Sequence, residues 1–524
     1  MNRHPRRALI VATLLTVGAG ACTDTTELPI TTITDTNYFN DPSSYRALLA
    51  KIYAGLAVSG QRGPAGDPDI EGIDEGFSQY LRLYWEAQEL PTDEAVIAWG
   101  DVGLPEMNTQ LWASSNSFVV AMYYRIAFQV SMANELLRQT TDAKLAERNV
   151  SPELTADIQT FRAEARFLRA LSYWHGMDLF GNIPLVTEDY VLGSPPPAQN
   201  TRQEIFDFVV SELNAIKSQL PLASPGTYGR ATSAAASMLL AKVYLNAEVY
   251  TGTPQYGPAL AEAQAVIAGP FSLDPSYHHL FQADNHTSPE IVFPIVQDGL
   301  RTQTFGGTTF LVHASCGGSM DAAESGVDGC WFGLRVKPQA YTRYTAGDSR
   351  ASVFWTDGQT LEVTSISNFN AGYPARKFVN KTSTGADGSN ATHPDTDFPM
   401  FRLGDAYLIY AEAHLRGGGG DRTQALAYVN ALRQRAYGNT SGDVADDPTF
   451  DLDFILDERG RELLFEAHRR TDLIRYRRFT GGDYIWAWKG GAPAGTATET
   501  FRDLYPLPAS ELTTNPNLAQ NPGY

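Results

Sequence analysis

The sequence predicts a mainly α-helical body of stacked helix hairpins, interrupted by one irregular insertion of loops and short strands. Three observations carry this reading. In residues 161–188, Ala163, Phe167, Ala170, Trp174 and Met177 recur at spacings of four and three, which is one face of an α-helix. Two distant segments repeat one plan, a helix, a break and a partner helix, at 231–250 with 256–268 and at 404–417 with 422–436. Between them, residues 270–400 are rich in Gly, Thr, Ser and aromatic residues and hold only short apolar runs such as EIVFPIV at 290–296.

The first residues read as a targeting segment. Arg3, Arg6 and Arg7 make a positive n-region, Ala8 to Val17 an apolar h-region too short to span a bilayer, and Gly18 to Ala21 a small-residue cleavage zone. Cys22 follows at once, as in a bacterial lipobox whose thiol is lipidated, although Ala19 stands where leucine is usual. The alternative is an ordinary secretory signal with a chance cysteine. Lipid on Cys22 would anchor the chain without making it transmembrane. Residues 1–21 are therefore read as a lipoprotein signal, the Thr-rich stretch 22–36 as a tether, and 37–524 as the folded body.

Hydrophobic content of 43% with 11% aromatic residues is that of a globular chain. The aromatic supply exceeds what a core needs, so some rings should reach the surface, where flat faces stack on ligands. Loss of the leader removes three arginines and no acid, which takes the net charge from −19 to −22. Such acidity excludes nucleic acid as a partner. Beyond Cys22 only Cys316 and Cys330 remain. In an exported protein they are expected to pair across a glycine-rich loop, with two free buried thiols as the alternative.

A helix opens near Asp41-Pro42-Ser43 and runs to about Val58, with Ala47, Leu48, Ile52 and Leu56 inward. The Gly-, Pro- and Asp-rich loop 59–77 offers acids to a structural Ca²⁺. The ligand spacing of a calcium loop is absent there, and a solvated loop is the competing reading. Residues 80–112 mix aromatics with turn residues. Trp99-Gly100-Asp101 joins a ring to a carboxylate, which suits a sugar whose C–H face stacks while its hydroxyls hydrogen-bond. The plainer alternative is a partly buried tryptophan.

Helices follow at 117–139, 157–180 and 202–219, the last capped by Asn200-Thr201. Ala236, Leu240, Val243, Ala247 and Tyr250 stripe the 231–250 helix. Asp421 with Gln424 reads as a capping-box start for 422–436. These hairpins resemble divergent tetratricopeptide repeats, units that bury their faces only by stacking. A final helix is expected over about 453–479. Glu462, Glu466, Arg469, Arg470, Asp472 and Arg475 on it form either an anion or substrate site or a structural ion-pair network.

No nucleophile elbow, zinc spacing, P-loop or dinucleotide fingerprint occurs. That weakens an enzyme reading. A glycosidase, needing only two carboxylates, stays open.

Several segments together resemble the RagB/SusD family of nutrient-uptake outer-membrane lipoproteins. They are AEARFLRALSYWHGMDLFGNIPLV (163–186), GRATSAAASMLLAKVYL (229–245), FRLGDAYLIYAEAHL (401–415), ERGRELLFEAHRRTDLIR (458–475) and the closing LYPLPASELTTNPNLAQNPGY (504–524). They fall in family order along nearly the whole mature chain. The resemblance implies about four tetratricopeptide-like helix pairs and a lid-like role over a SusC-like, TonB-dependent outer-membrane transporter. It implies an oligosaccharide or peptide ligand, no catalysis, and a lipid-anchored place on the outer membrane. By position it marks Trp99 as the loop aromatic with Asp101 beside it, and more loosely Trp331, Phe332 and Tyr341 in the insertion. A secreted glycoside hydrolase on a helical scaffold is the alternative function, and a purely structural surface scaffold a third.

Overall fold

The structure, a computed structural model, describes residues 38–191 and 193–524. The expected leader, Cys22 and the 22–36 tether lie outside the described residues. Helix α1 (Ser43–Ala57) leads through a loop to α2 (Tyr80–Glu89), all ten residues of which are buried. Strand β1 (Ala95–Ile97) and the short α3 (Leu104–Thr109) follow. The chain then enters α4 (Ser117–Gln139), α5 (Asp142–Glu147) and α6 (Pro152–Phe180).

Local chemistry sets the ends of these helices. The Asn116 side chain accepts from the first amides of α4, and Ser151 with Pro152 opens α6 five residues before the expected start. Gly181, at φ +73°, ends α6 as its lack of a Cβ permits. The predicted stripe on α6 is buried, and Trp174 is 2% exposed. Replacing such a tryptophan by alanine costs about 3–5 kcal/mol. The arginines on the flank of α6 tie it to both neighbours. Arg162 donates to the Leu137 and Thr140 carbonyls of the α4 end, and Arg166 and Arg169 pair with Glu212.

Strands β2 (Ile183–Pro184) and β3 (Gln199–Asn200) pair antiparallel before α7 (Arg202–Ile216), where Thr201 and Glu204 form a capping box. The single helix expected over 231–250 is two, α8 (Ser233–Leu245) and α9 (Ala247–Thr251). They divide at Asn246, whose side-chain amide donates to the Lys242 carbonyl at 2.9 Å. Next come α10 (Tyr256–Ile267), then β4 (Ile291–Ile295), α11 (Gly307–Ala314), β5 (Leu334–Val336), α12 (Pro338–Thr342) and β6 (Phe398–Arg402). After them come α13 (Leu403–Leu415) and α14 (Arg422–Tyr437), the latter capped by Asp421 on the Gln424 amide.

Helices α4, α6 and α7 pack in sequence, α7 touches α8, and α8, α10, α13 and α14 continue the array. The array therefore passes straight from α10 to α13, across the insertion. Strands β4 and β6 pair antiparallel at the insertion's two ends, so the excursion leaves and returns at one place. Residues 45–524 form one compact unit.

The expected final helix is interrupted. Helix α15 (Leu452–Glu462) stops, and α16 (Arg469–Arg475) starts again after a buried turn in which Phe465 and Ala467 have φ of +62° and +61°. Long-range bonds hold that turn. The Trp85 indole donates to the Phe465 carbonyl at 2.8 Å, and the His468 amide donates to Glu89 at 3.1 Å. The break aims the charges outward from one axis. Glu462 meets Arg402 and Arg350, Glu466 meets Lys377, Arg469 meets Asp93, and Arg470 meets Asp178. The charged residues of this segment thus form a buried ion-pair network whose partners lie far off in sequence. The short α17 (Ala509–Thr514) closes the chain.

Candidate functional site

Pairing of β1 with β5 builds the site. Ala95, Val96 and Ile97 face Val336, Arg335 and Leu334, and the Ala98 amide donates to the Gly333 carbonyl at 2.9 Å. The next residue, Trp99, therefore arrives beside Trp331, and its indole N–H donates to the Trp331 carbonyl at 2.9 Å. The two rings lie 6.3 Å apart at 48°. Gly333 lies against the Trp99 ring, and a Cβ there would fall 2.8 Å from Trp99 Cζ2, so glycine's missing side chain makes room for the ring.

Trp331 stacks on the His313 ring at 4.5 Å and tilts against Phe305 at 6.2 Å. The His313 nitrogens lie 2.6 Å from the Gly329 carbonyl and 3.1 Å from that of Thr392, which fixes the ring. Burial keeps its pKa below that of an ordinary histidine.

Behind the tryptophans stands Arg82, from α2. Its guanidinium lies over Phe310 at 4.2 Å, Phe77 at 4.3 Å and Trp99 at 5.4 Å. Its Nε donates to Glu86 at 2.9 Å and its Nη1 to the Phe305 carbonyl at 3.3 Å, while Nη2 has no partner. Burial lowers the Arg82 pKa, and the charges of Glu86, Asp74 and Asp101 oppose that shift. Burial likewise lifts Glu86 to about 7, with Arg82 opposing and Asp101 adding to the rise. Asp101 is exposed, as is Asp74, which accepts from the Gly76 amide at 2.9 Å. Half-buried rings beside exposed carboxylates can stack on an apolar face and accept from hydroxyls.

Of the residues singled out from sequence, Trp99, Asp101 and Trp331 meet here. Phe332 adjoins them, 49% exposed and at φ +55°. It is held there because the amides of Trp331, Phe332 and Gly333 donate to the carbonyls of His313, Cys316 and Ala314 at the end of α11. Cys316 and Cys330 flank that loop as a disulfide pair, with Cα atoms 4.7 Å apart. Tyr341 belongs to another cluster, edge-on to Tyr373 at 5.0 Å and to Phe354 at 5.3 Å. Sequence reasoning missed Arg82, Asp74, Phe305 and His313. Only Arg82 left a signal, as a lone cation in the apolar run YLRLYW.

In the 59–77 loop Asp69 is engaged by Lys51 at 2.7 Å and Arg125 at 3.3 Å. Among the described residues no group of three or more His, Cys, Asp or Glu is placed to hold a metal ion.

Residues 320–524 match the SusD family, and residues 87–245 match a family described as starch-binding and associating with the outer membrane. Across 91% of its length the chain is 33% identical to the starch-binding protein SusD of Bacteroides thetaiotaomicron, covering 92% of that protein. The chain belongs to the SusD family. SusD-like protein P2 of Formosa agariphila is 25% identical, with 98% of each chain covered. Solved SusD relatives share the helical, tetratricopeptide-like fold. A SusD homolog from B. thetaiotaomicron superposes with a TM-score of 0.73 at 20% identity, covering 94% of this chain and 98% of that one. Surface glycan-binding protein A of the same organism, in complex with laminarihexaose, gives 0.69 at 19% identity, covering 91% and 98%.

Proposed function

We propose that this SusD-family chain is a surface-exposed outer-membrane lipoprotein, anchored through Cys22. It binds an oligosaccharide, or a peptide, and delivers it to a SusC-like TonB-dependent transporter without transforming it. The observation that carries the reading is the Trp99–Trp331 pair, two half-buried rings joined by a hydrogen bond beside the exposed Asp101. Trp99, Trp331 and Phe332 supply stacking faces, and Asp101 supplies an acceptor for hydroxyls. Arg82 holds the tryptophan wall from behind. Tyr341 lies further along the insertion and serves an extended ligand. The starch-binding and glycan-binding roles stated for relatives support a sugar over a peptide.

Affinity electrophoresis through starch and laminarin gels tests ligand capture. Retardation lost in Trp99→Ala, with no new reducing ends on prolonged incubation, supports binding without hydrolysis. Turnover that one carboxylate substitution abolishes would establish a hydrolase instead. Cys22→Ala should release the chain from membranes, and detergent extraction of the native protein should recover the transporter with it.

A further inference from the structure

The two paired cysteines sit at the root of the aromatic wall. Cys330 directly precedes Trp331, and the Cys316 carbonyl accepts from the Phe332 amide at 3.0 Å. The disulfide therefore closes a small ring. It runs from Cys316 across the sulfurs to Cys330, along Trp331 to Phe332, and back through that hydrogen bond. Phe332 lies inside the ring at φ +55°, a region that bulky side chains avoid. Such a conformation persists only where its surroundings over-determine it. The Phe332 side chain lies on Gly317, where a Cβ would fall 2.7 Å from Phe332 Cδ1, and edge-on to Phe369 at 5.5 Å. Cys316 thus sets the floor under Phe332, and Cys330 sets the approach of Trp331 to His313, whose carbonyl accepts from the Trp331 amide at 2.8 Å.

The loop between the cysteines has other moorings. The Asn380 amide donates to the Ser325 carbonyl at 2.8 Å, the Asn380 side chain to the Gly326 carbonyl at 2.8 Å, and the Asp328 amide to the Ala391 carbonyl at 3.1 Å. The Trp355 indole donates to the Ser319 hydroxyl at 2.9 Å. Opening the disulfide therefore frees residues 330–332 and leaves 319–328 attached to the body. Cys330 is half-buried and Cys316 fully buried, so a thiol approaches from the Cys330 side.

We propose that the Cys316–Cys330 disulfide positions Trp331 and Phe332 for the ligand, and that its reduction by a dithiol weakens capture without unfolding the chain. One thiolate of the dithiol attacks the Cys330 sulfur, the S–S bond breaks, and its electron pair goes to Cys316. The second thiolate then displaces the Cys330 sulfur. The dithiol leaves as a cyclic disulfide, and its two electrons and two protons end on the two cysteines. With the ring open, left-handed Phe332 competes with the ordinary backbone at a disadvantage of about fivefold, and apparent affinity falls by that factor. The inference rests on the reading of this wall as the glycan site.

Affinity electrophoresis through starch and laminarin gels, with and without dithiothreitol, measures capture. Reduction should weaken retardation about fivefold, and reoxidation should restore it. Cys316→Ala combined with Cys330→Ala should behave as the reduced protein, with or without the reagent. In Phe332→Gly, whose left-handed backbone costs nothing, reduction should leave the remaining retardation unchanged. Hydrogen exchange without ligand reads position alone. Reduction should cost the Phe332 amide most of its protection, while the Asp328 and Asn380 amides keep theirs. Equal affinity of oxidised and reduced protein, an undiminished effect of reduction in Phe332→Gly, unchanged protection of the Phe332 amide, or protection lost equally at Asp328 would overturn the proposal. A chain that neither polysaccharide retards, yet whose Phe332 amide alone is released by reduction, would overturn the nutrient-binding reading and keep the positioning role.

Discussion

Trp99 donates its indole N–H to the carbonyl of Trp331, 232 positions away, at 2.9 Å. Gly333 is what lets the ring reach that far, because a Cβ there would fall 2.8 Å from it. Gly333→Ala should therefore push Trp99 off its acceptor. A loss of glycan affinity of about two- to tenfold, close to that of Trp99→Ala, is expected in a calorimetric titration. Full affinity in Gly333→Ala would mean that the ring position is irrelevant to binding.

Phe332 sits in the left-handed region with half its surface in solvent. A bulky residue there costs on the order of 1 kcal/mol, which glycine escapes. Phe332→Gly should leave the melting temperature unchanged or raised while it weakens glycan binding about two- to tenfold. A fall in both would assign the ring to packing alone.

Glu462 is fully buried and meets Arg402 at 2.7 Å, Arg350 at 2.8 Å and Arg435 at 2.5 Å. Burial alone would raise its pKa, but the three guanidiniums together hold it below the ordinary range. Glu462→Gln leaves those cations short of an anion and should cost about 3–5 kcal/mol in denaturant unfolding. A cost below about 1 kcal/mol would show that the network rearranges around the amide.

Glu458 gives a pH test with a definite sign. Burial raises its pKa, while Arg350, Arg461 and Arg433 outweigh burial and bring it down to about 2, from an ordinary value of 4.5. A carboxylate depressed on folding stabilises fully above its unfolded pKa, and the contribution disappears as pH falls through the folded value. The melting temperatures of wild type and Glu458→Gln should thus be well separated at pH 7 and converge toward pH 2. A gap of constant size over that range would remove the charge of Glu458 from the explanation.

A structural Ca²⁺ in the 59–77 loop would compete with cations already present, since Asp69 is paired with Lys51 and Arg125. Treatment with EGTA should leave the melting temperature within about 1 °C of the untreated protein. A larger drop, reversed by added calcium, would establish the ion.

Legibility followed the range of the interactions involved. The α6 stripe, the Asn200-Thr201 and Asp421 helix starts, and the paired helices on both sides of the insertion were readable because a helix repeats its instructions every three or four residues. The proximity of Trp99 to Asp101 was readable because only two positions separate them. Arg82, Asp74, Phe305 and His313 were not, because each gains its role from neighbours remote in sequence. The turn that breaks 453–479 was hidden for the same reason. Its residues continue a helical pattern, and only Trp85, Glu89 and the buried cations around it make the left-handed Phe465 and Ala467 the better solution.

Local periodicity thus dictated that the body is a stack of helices carrying a loop-rich insertion. Which rings face one another, and which carboxylate each arginine meets, was settled by the register of β1 on β5 and by the closure of the array from α10 to α13. Those are long-range choices, made by burying charge and apolar surface together, and no short window of residues contains them.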